Sequence, residues 1–185
     1  NYTSNYKISG FVLFCLGLTK KCILANTLGM QADSVYNLNV NEIDTSAAWV
    51  GALAYTFQIY FDFSGYSDMA IGLGRIFGFN LPENFNNPYT SASITEFWRR
   101  WHITLGAWMK NYLYIPLGGN KGSNNLLYRN LAIVFVLSGL WHGASWNFIL
   151  WGIFHGAFLI LDRMFLLTFL QKATKIIAIP FTFIV

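Results

Sequence analysis

Between Arg129 and Asp162 the chain runs 32 residues without an Asp, Glu, Lys or Arg. A hydrocarbon core about 30 Å thick needs about 20 helical residues, so this stretch is long enough to cross one. A second gap, of 17 residues, separates Asp44 from Asp62. Composition points the same way: 55% of residues are hydrophobic, 18% aromatic and 11% charged. That much apolar surface exceeds what a soluble domain of 185 residues can hide. The expectation is an all-α, polytopic integral membrane protein of transmembrane helices plus interfacial or re-entrant helices. Residues 1–185 read as a single membrane-embedded domain, and the start at Asn1 and the stop inside the apolar run Ile176–Val185 read as those of a fragment. The net charge of +4 lacks the dense basic face that nucleic-acid binding requires. Cys15 and Cys22, both in apolar sequence, read as packing residues.

Charge placement sets an expected orientation. Five acids and no base lie between Lys21 and Arg75; five bases and no acid lie between Glu96 and Asp162. The positive-inside rule then puts Arg99–Arg129 in the cytoplasm and the base-free loop Gln31–Thr45 outside, in a multi-pass inner-membrane protein. Lys7–Met30 is split by Lys20 and Lys21, whose two ammonium groups at mid-bilayer would cost roughly 5–7 kcal/mol. It therefore reads as a bent or interfacial helix pair. The run Ser46–Phe79 reads as interrupted at Asp62–Gly65, with Asp62, Ser64 and Asp68 as cap residues between two half-helices. Thr95–Tyr112 reads as one helix that Thr95 caps, Pro116–Asn125 as a loop, and Trp146–Gln171 as one long helix with another beginning at Ile176. The glycine spacings Gly74–Gly78 and Gly152–Gly156 suit close helix packing within one subunit.

Polar groups inside apolar sequence carry the functional signal, because each must repay its removal from water. They are Asp62 and Asp68 in YFDFSGYSD, His102 in FWRRWH, His142 in SGLWHGASWN and His155 in WGIFHG. His142 stands out: it lies mid-way in the longest uncharged stretch, and Gly139 and Gly143 can break a helix there and open it to a cavity. His155 reads as a structural histidine bonded across a helix interface. Metal binding is not expected, since His142 and His155 are thirteen residues apart, about 220° around a helix. No G-x-S-x-G elbow or strand pattern supports a serine triad.

Five ordered words, Tyr60–Gly72 (YFDFSGYSDMAIG), Asn84–Tyr89 (NFNNPY), Glu96–Leu105 (EFWRRWHITL), Tyr112–Gly119 (YLYIPLGG) and Leu140–Asn147 (LWHGASWN), resemble the membrane-bound O-acyltransferases. The likeness is to the branch of the alginate O-acetyltransferase membrane subunit. Some members carry Arg-Asp where this chain has Lys110-Asn111. The resemblance implies transfer of an acyl group, here acetyl, from a cytoplasmic thioester to hydroxyls of an extracytoplasmic polysaccharide or to a periplasmic acetyltransferase partner. The expected donor is acetyl-coenzyme A or an acyl carrier thioester, with no resident cofactor. The family's histidine falls on His142 and its second polar position on His102, which are the expected catalytic residues. Arg99, Arg100, Trp101, Asn147 and Asp62 are the expected substrate- or donor-binding residues, with membrane lipid as the surrounding partner. A neutral imidazole near pH 7 suits the proton transfer that alcohol attack requires.

Two other classes stay open on the residues alone: a proton-coupled transporter or channel subunit, with Asp62, His102 and His142 along a path, and a structural scaffold. Cysteine labelling tests the orientation. On intact cells an impermeant thiol reagent is expected to modify a Cys placed at Asn37 and to spare one at Asn124; the reverse pattern would invert the topology.

Overall fold

A computed structural model describes residues 4–185, which are helical with no strand among them. The chain divides into two compact units, Asn1–Glu83 and Asn84–Val185. Two helices, Ser4–Tyr36 and Trp146–Lys172, are long and apolar enough to cross a membrane.

The first unit is an antiparallel helical hairpin. Helix α1 spans Ser4–Tyr36 and α2 spans Thr45–Phe77, joined through a short turn at Val40–Glu42. Asp44 caps α2 by accepting from Ala47 N–H at 2.7 Å, and Gly78 ends it in the left-handed conformation, φ 88°. Gly78 is thus a C-cap, whereas Gly74 packs against Leu81.

What lets the two helices approach is a set of glycines at seven-residue spacing, Gly10 and Gly17 on α1 against Gly65 and Gly72 on α2. A Cβ at Gly17 would lie 2.5 Å from the Gly65 carbonyl oxygen, and one at Gly65 would lie 2.7 Å from that of Gly17. Backbone therefore meets backbone, and van der Waals packing replaces a hydrophobic force that lipid cannot supply.

This unit corrects the expected break in each helix. Lys7–Met30 is not a bent pair: α1 is continuous, with one wider π turn at Lys20–Ala25. Nor does α2 pause at Asp62–Gly65, so Asp62, Ser64 and Asp68 are interior helix residues and not caps. Lys20 Nζ pairs with Asp68 at 2.6 Å and Lys21 Nζ with Asp62 at 2.5 Å. Asp62 and Asp68 lie three residues before and after Gly65, and Lys20 and Lys21 three and four after Gly17, so both pairs sit within about one turn of the glycine contact. Reading each charge alone overstated its cost, because the compensating charges sit on the partner helix.

The second unit carries the remaining helices: α3 Ile94–Arg100, α4 Ile103–Met109 continued by a π turn at Lys110–Tyr114, α5 Asn124–His142, α6 Trp146–Lys172 with a π turn at Asp162–Leu166, and α7 Lys175–Ile184. The 32-residue uncharged stretch is not one crossing, because it turns back on itself at Gly143–Ser145. α5 and α6 then pack antiparallel with Gly139 against the Phe148 carbonyl and Gly152 against that of Phe135. Ile94 and Trp98 of α3 cover this hairpin, closing a core with Phe135 and Leu159. The glycine-rich loop Pro116–Asn125 is held from α5, where the fully buried Asn130 donates to the Leu117 and Gly119 carbonyls at 3.1 and 3.0 Å.

If the ion pairs set the register of the first unit, Lys21→Asp is expected to destabilise it by about 1–2 kcal/mol or more, the scale of polar contacts between membrane helices. The double change Lys21→Asp with Asp62→Lys should recover most of that loss. Thermal unfolding in a lipid nanodisc measures both; a double variant no better than the single one would exclude the clamp.

Candidate functional site

The expected single helix Thr95–Tyr112 is broken where its chemistry lies. α3 stops at Arg100, Trp101 is extended, and His102 adopts a left-handed backbone with φ 46° and ψ 54°. For a residue with a Cβ this conformation costs about 1–3 kcal/mol and persists only where neighbours over-determine it. Asn84 supplies that determination. Its carbonyl accepts from Ile103 N–H at 2.9 Å, and its Oδ1 accepts from Thr104 N–H at 3.2 Å and from the Thr104 hydroxyl at 2.9 Å. Two amides that the start of α4 would leave unpaired are thereby satisfied. Asn86 N–H adds a bond to the Arg100 carbonyl at 2.9 Å.

The same Asn84 oxygen lies 3.1 Å from His102 Nδ1. Because a backbone N–H only donates, the Thr104 contact identifies this atom as oxygen, and Nδ1 must carry the proton given to it. The neutral ring then keeps its lone pair on Nε2. Burial first, and the neighbouring His142 second, hold the His102 imidazole below the ordinary histidine value. The ring is the neutral, basic form at pH 7.

His142 closes α5 immediately before Gly143, as the glycine pattern suggests, and is exposed. Its ring stacks on Phe148 at 5.9 Å and meets Trp151 edge-on at 5.0 Å. Trp141 bridges the two histidines, 5.1 Å from His142 and 6.3 Å from His102. His155 lies on the far side of Trp151, 4.9 Å away, enclosed by Trp98 at 5.2 Å.

A cavity of about 690 Å³ opens beside this cluster. His102, Trp101 and Arg99 line it, together with Lys110, Arg163 and Ser138, the last one turn before His142 on α5. Its charged lining is wholly basic. Arg100 is not part of it: its guanidinium pairs with Glu96 at 2.5 Å and donates to the Thr90 hydroxyl at 3.1 Å. Asn147 is exposed in the first turn of α6, its N–H donating to the capping Ser145 hydroxyl at 3.3 Å. Asp62 belongs to the first unit, where Lys21 pairs with it. Thr95 does not cap α3: Ser93 does, accepting from Glu96 N–H at 3.1 Å, while Thr95 bonds to Asp162. Among the described residues no three His, Cys, Asp or Glu side chains gather where a metal could sit.

Three residues that the spacing did not single out hold or line this site: Asn84, Arg163 and Asp162. Asn84 opens NFNNPY, and its signal was an amide in a segment with no helical period. Asp162 and Arg163 ended an uncharged run and so registered only as its boundary.

The Asn84 contact makes a titration prediction. Histidine NMR should show His102 losing its proton below the ordinary histidine range. Asn84→Asp should raise that pKa, because an anion then faces Nδ1–H and favours the imidazolium; an unchanged titration would remove the contact.

Comparison with known proteins shows the family. Residues 7–184 match the model of MBOAT, the membrane-bound O-acyltransferase family. The chain is 56% identical over 154 residues to a probable alginate O-acetylase of Azotobacter vinelandii, covering 83% of this chain and 30% of that protein. It is 49% identical over 156 residues to a peptidoglycan O-acetyltransferase of Helicobacter pylori, covering 84% and 29%. To a teichoic acid D-alanyltransferase of Streptococcus thermophilus it is 36% identical over 164 residues, covering 82% and 39%. The chain thus spans about a third of the length of these relatives. A family match along nearly the whole sequence, with relatives 49–56% identical, leads to one assignment: the chain belongs to the membrane-bound O-acyltransferase family.

Proposed function

We propose that this chain forms part of an inner-membrane O-acyltransferase that moves acetyl from a cytoplasmic thioester to hydroxyls of an extracytoplasmic polysaccharide, directly or through a periplasmic acetyltransferase partner. The observation that carries the reading is two histidines in one aromatic cluster, one of them lining a cavity whose charged groups are all basic. An acyl donor bearing phosphates, acetyl-coenzyme A or a phosphopantetheine carrier, suits Arg99, Lys110 and Arg163. The names of the relatives, an alginate O-acetylase and a peptidoglycan O-acetyltransferase, support a glycan acceptor.

His142 is the general base. As the acceptor oxygen attacks the thioester carbonyl, its proton passes to the imidazole. The carbon–sulfur bond of the tetrahedral intermediate then breaks, and the imidazolium returns the proton to the departing thiolate. His102 lines the cavity with Nδ1–H directed to Asn84, and we assign it the placement of the acceptor hydroxyl. Arg100, paired with Glu96, contributes through the structure of α3.

His142→Ala is expected to lower kcat per folded molecule by a hundred- to several-thousand-fold, equivalent to about 3–5 kcal/mol of transition-state stabilisation, with membrane insertion and melting temperature nearly unchanged. His155→Ala should do less. Turnover near wild type in His142→Ala would overturn the mechanism. Replacing Arg99 by Gln should raise the donor KM, with an effect that shrinks as salt screens the charge.

A further inference from the structure

Asp162 does no chemistry in the mechanism above, yet its side chain is fully buried. Its Oδ2 accepts from Thr95 N–H at 3.0 Å and from the Thr95 hydroxyl at 2.5 Å. Its Oδ1 is also buried and meets no hydrogen-bond donor among the described residues. A carboxylate withdrawn from water with one oxygen unanswered is costly, and an apolar side chain would hold α3 against α6 at less cost. What the carboxylate adds is direction: two donors on one residue fix the angle as well as the contact.

The residue so fixed is the second of α3. That helix has only 7 residues. A helix this short does not sustain itself, because nucleation outweighs the few bonds it gains. Three oxygens compensate at its start: the Ser93 hydroxyl on Glu96 N–H, Asp162 on Thr95, and the Glu96 carboxylate reaching back to Ala92 N–H at 2.7 Å. Only Asp162 comes from outside the segment, 67 residues on. α3 then leads straight into Arg99, Trp101 and His102 at the cavity. The residue after Asp162, Arg163, lines the same cavity from the same π turn.

We propose that Asp162 is a positioning residue for acyl transfer: through Thr95 it sets the placement of α3, and with it Arg99, Trp101 and His102 at the cavity. The inference rests on reading that cavity as the acyl-transfer site. α3 moves as one short rigid piece, so about 1 Å of drift at Thr95 is carried to Arg99 and to Arg100, where the turn into Trp101 and His102 begins, and displacements of that size cost about a hundredfold in rate.

The test uses the complete protein reconstituted in lipid vesicles with acetyl-coenzyme A as the probe donor and a glycan oligosaccharide as the hydroxyl acceptor, following thiol release per folded molecule. Thr95→Val and Asp162→Asn are each expected to lower kcat by tenfold or more and to raise the acetyl-coenzyme A KM severalfold. Thr95→Ser, which keeps the hydroxyl, should retain both constants. Should Asp162→Asn fail to fold, the two Thr95 variants decide. A lowered melting temperature with wild-type kcat and KM in Thr95→Val would overturn the proposal, since packing alone has that signature. His102→Ala run beside them separates the two readings. If it is inactive while Thr95→Val is normal, only the positioning role falls; if it keeps full turnover, the site reading falls and the positioning role with it.

Discussion

A polar group taken out of water is costly unless another part of the chain meets it, and in apolar surroundings little else offsets that cost. That demand organises both units. In the first, it pairs two lysines of α1 with two aspartates of α2 across a contact that glycines have made close enough for the charges to meet. In the second, it sends the Asn130 amide into the glycine-rich loop, the Asp162 carboxylate onto Thr95, and the Asn84 amide onto the break at His102. Apolar packing brings helices together but is tolerant of sliding and rotation. The polar contacts are directional, and they select one register from many.

How much of this the sequence discloses depends on whether a signal is local. The membrane character, the helical class and the weight placed on His142 follow from runs of uncharged residues and from a glycine beside a histidine, all readable within one segment. The ion pairs were not readable that way. Lys20 and Asp68 are far apart in the chain, so each looks like an unpaid charge until the hairpin is closed, and each suggested a break that the fold does not contain. The seven-residue spacing of Gly10 with Gly17, and of Gly65 with Gly72, was the available clue that the two segments are partners. Single-segment glycine patterns such as Gly74–Gly78 drew attention instead, and Gly78 proved to be a cap.

The site shows the same division. FWRRWH was legible as a chemically loaded word, but its period suggested an unbroken helix, because nothing in the word itself forbids one. The break is imposed from Asn84, whose backbone and side chain take over the hydrogen bonds that continuing the helix would have made. In the same way Arg99 and Arg100 were indistinguishable in sequence. The difference between them is made by Glu96, one turn earlier, which engages Arg100 and leaves Arg99 to the cavity.

Short helices explain why so much of the site depends on contacts at a distance. α3 has 7 residues and α4 only 7 more before its π turn at Lys110–Tyr114, lengths that are marginal without outside support. A long helix would hold its side chains by its own ladder and would also forbid the left-handed turn that aims His102. Building the site from two short pieces permits that turn, but it moves the burden of placement to the ends: Asp162 and Ser93 at the start of α3, Asn84 at the start of α4. The hairpin of α5 and α6 has close glycine contacts of its own, Gly139 on Phe148 and Gly152 on Phe135, that involve none of these pins. Geometry at His102 and cohesion of the unit therefore rest on different interactions, and a change at a pin disturbs the first well before the second.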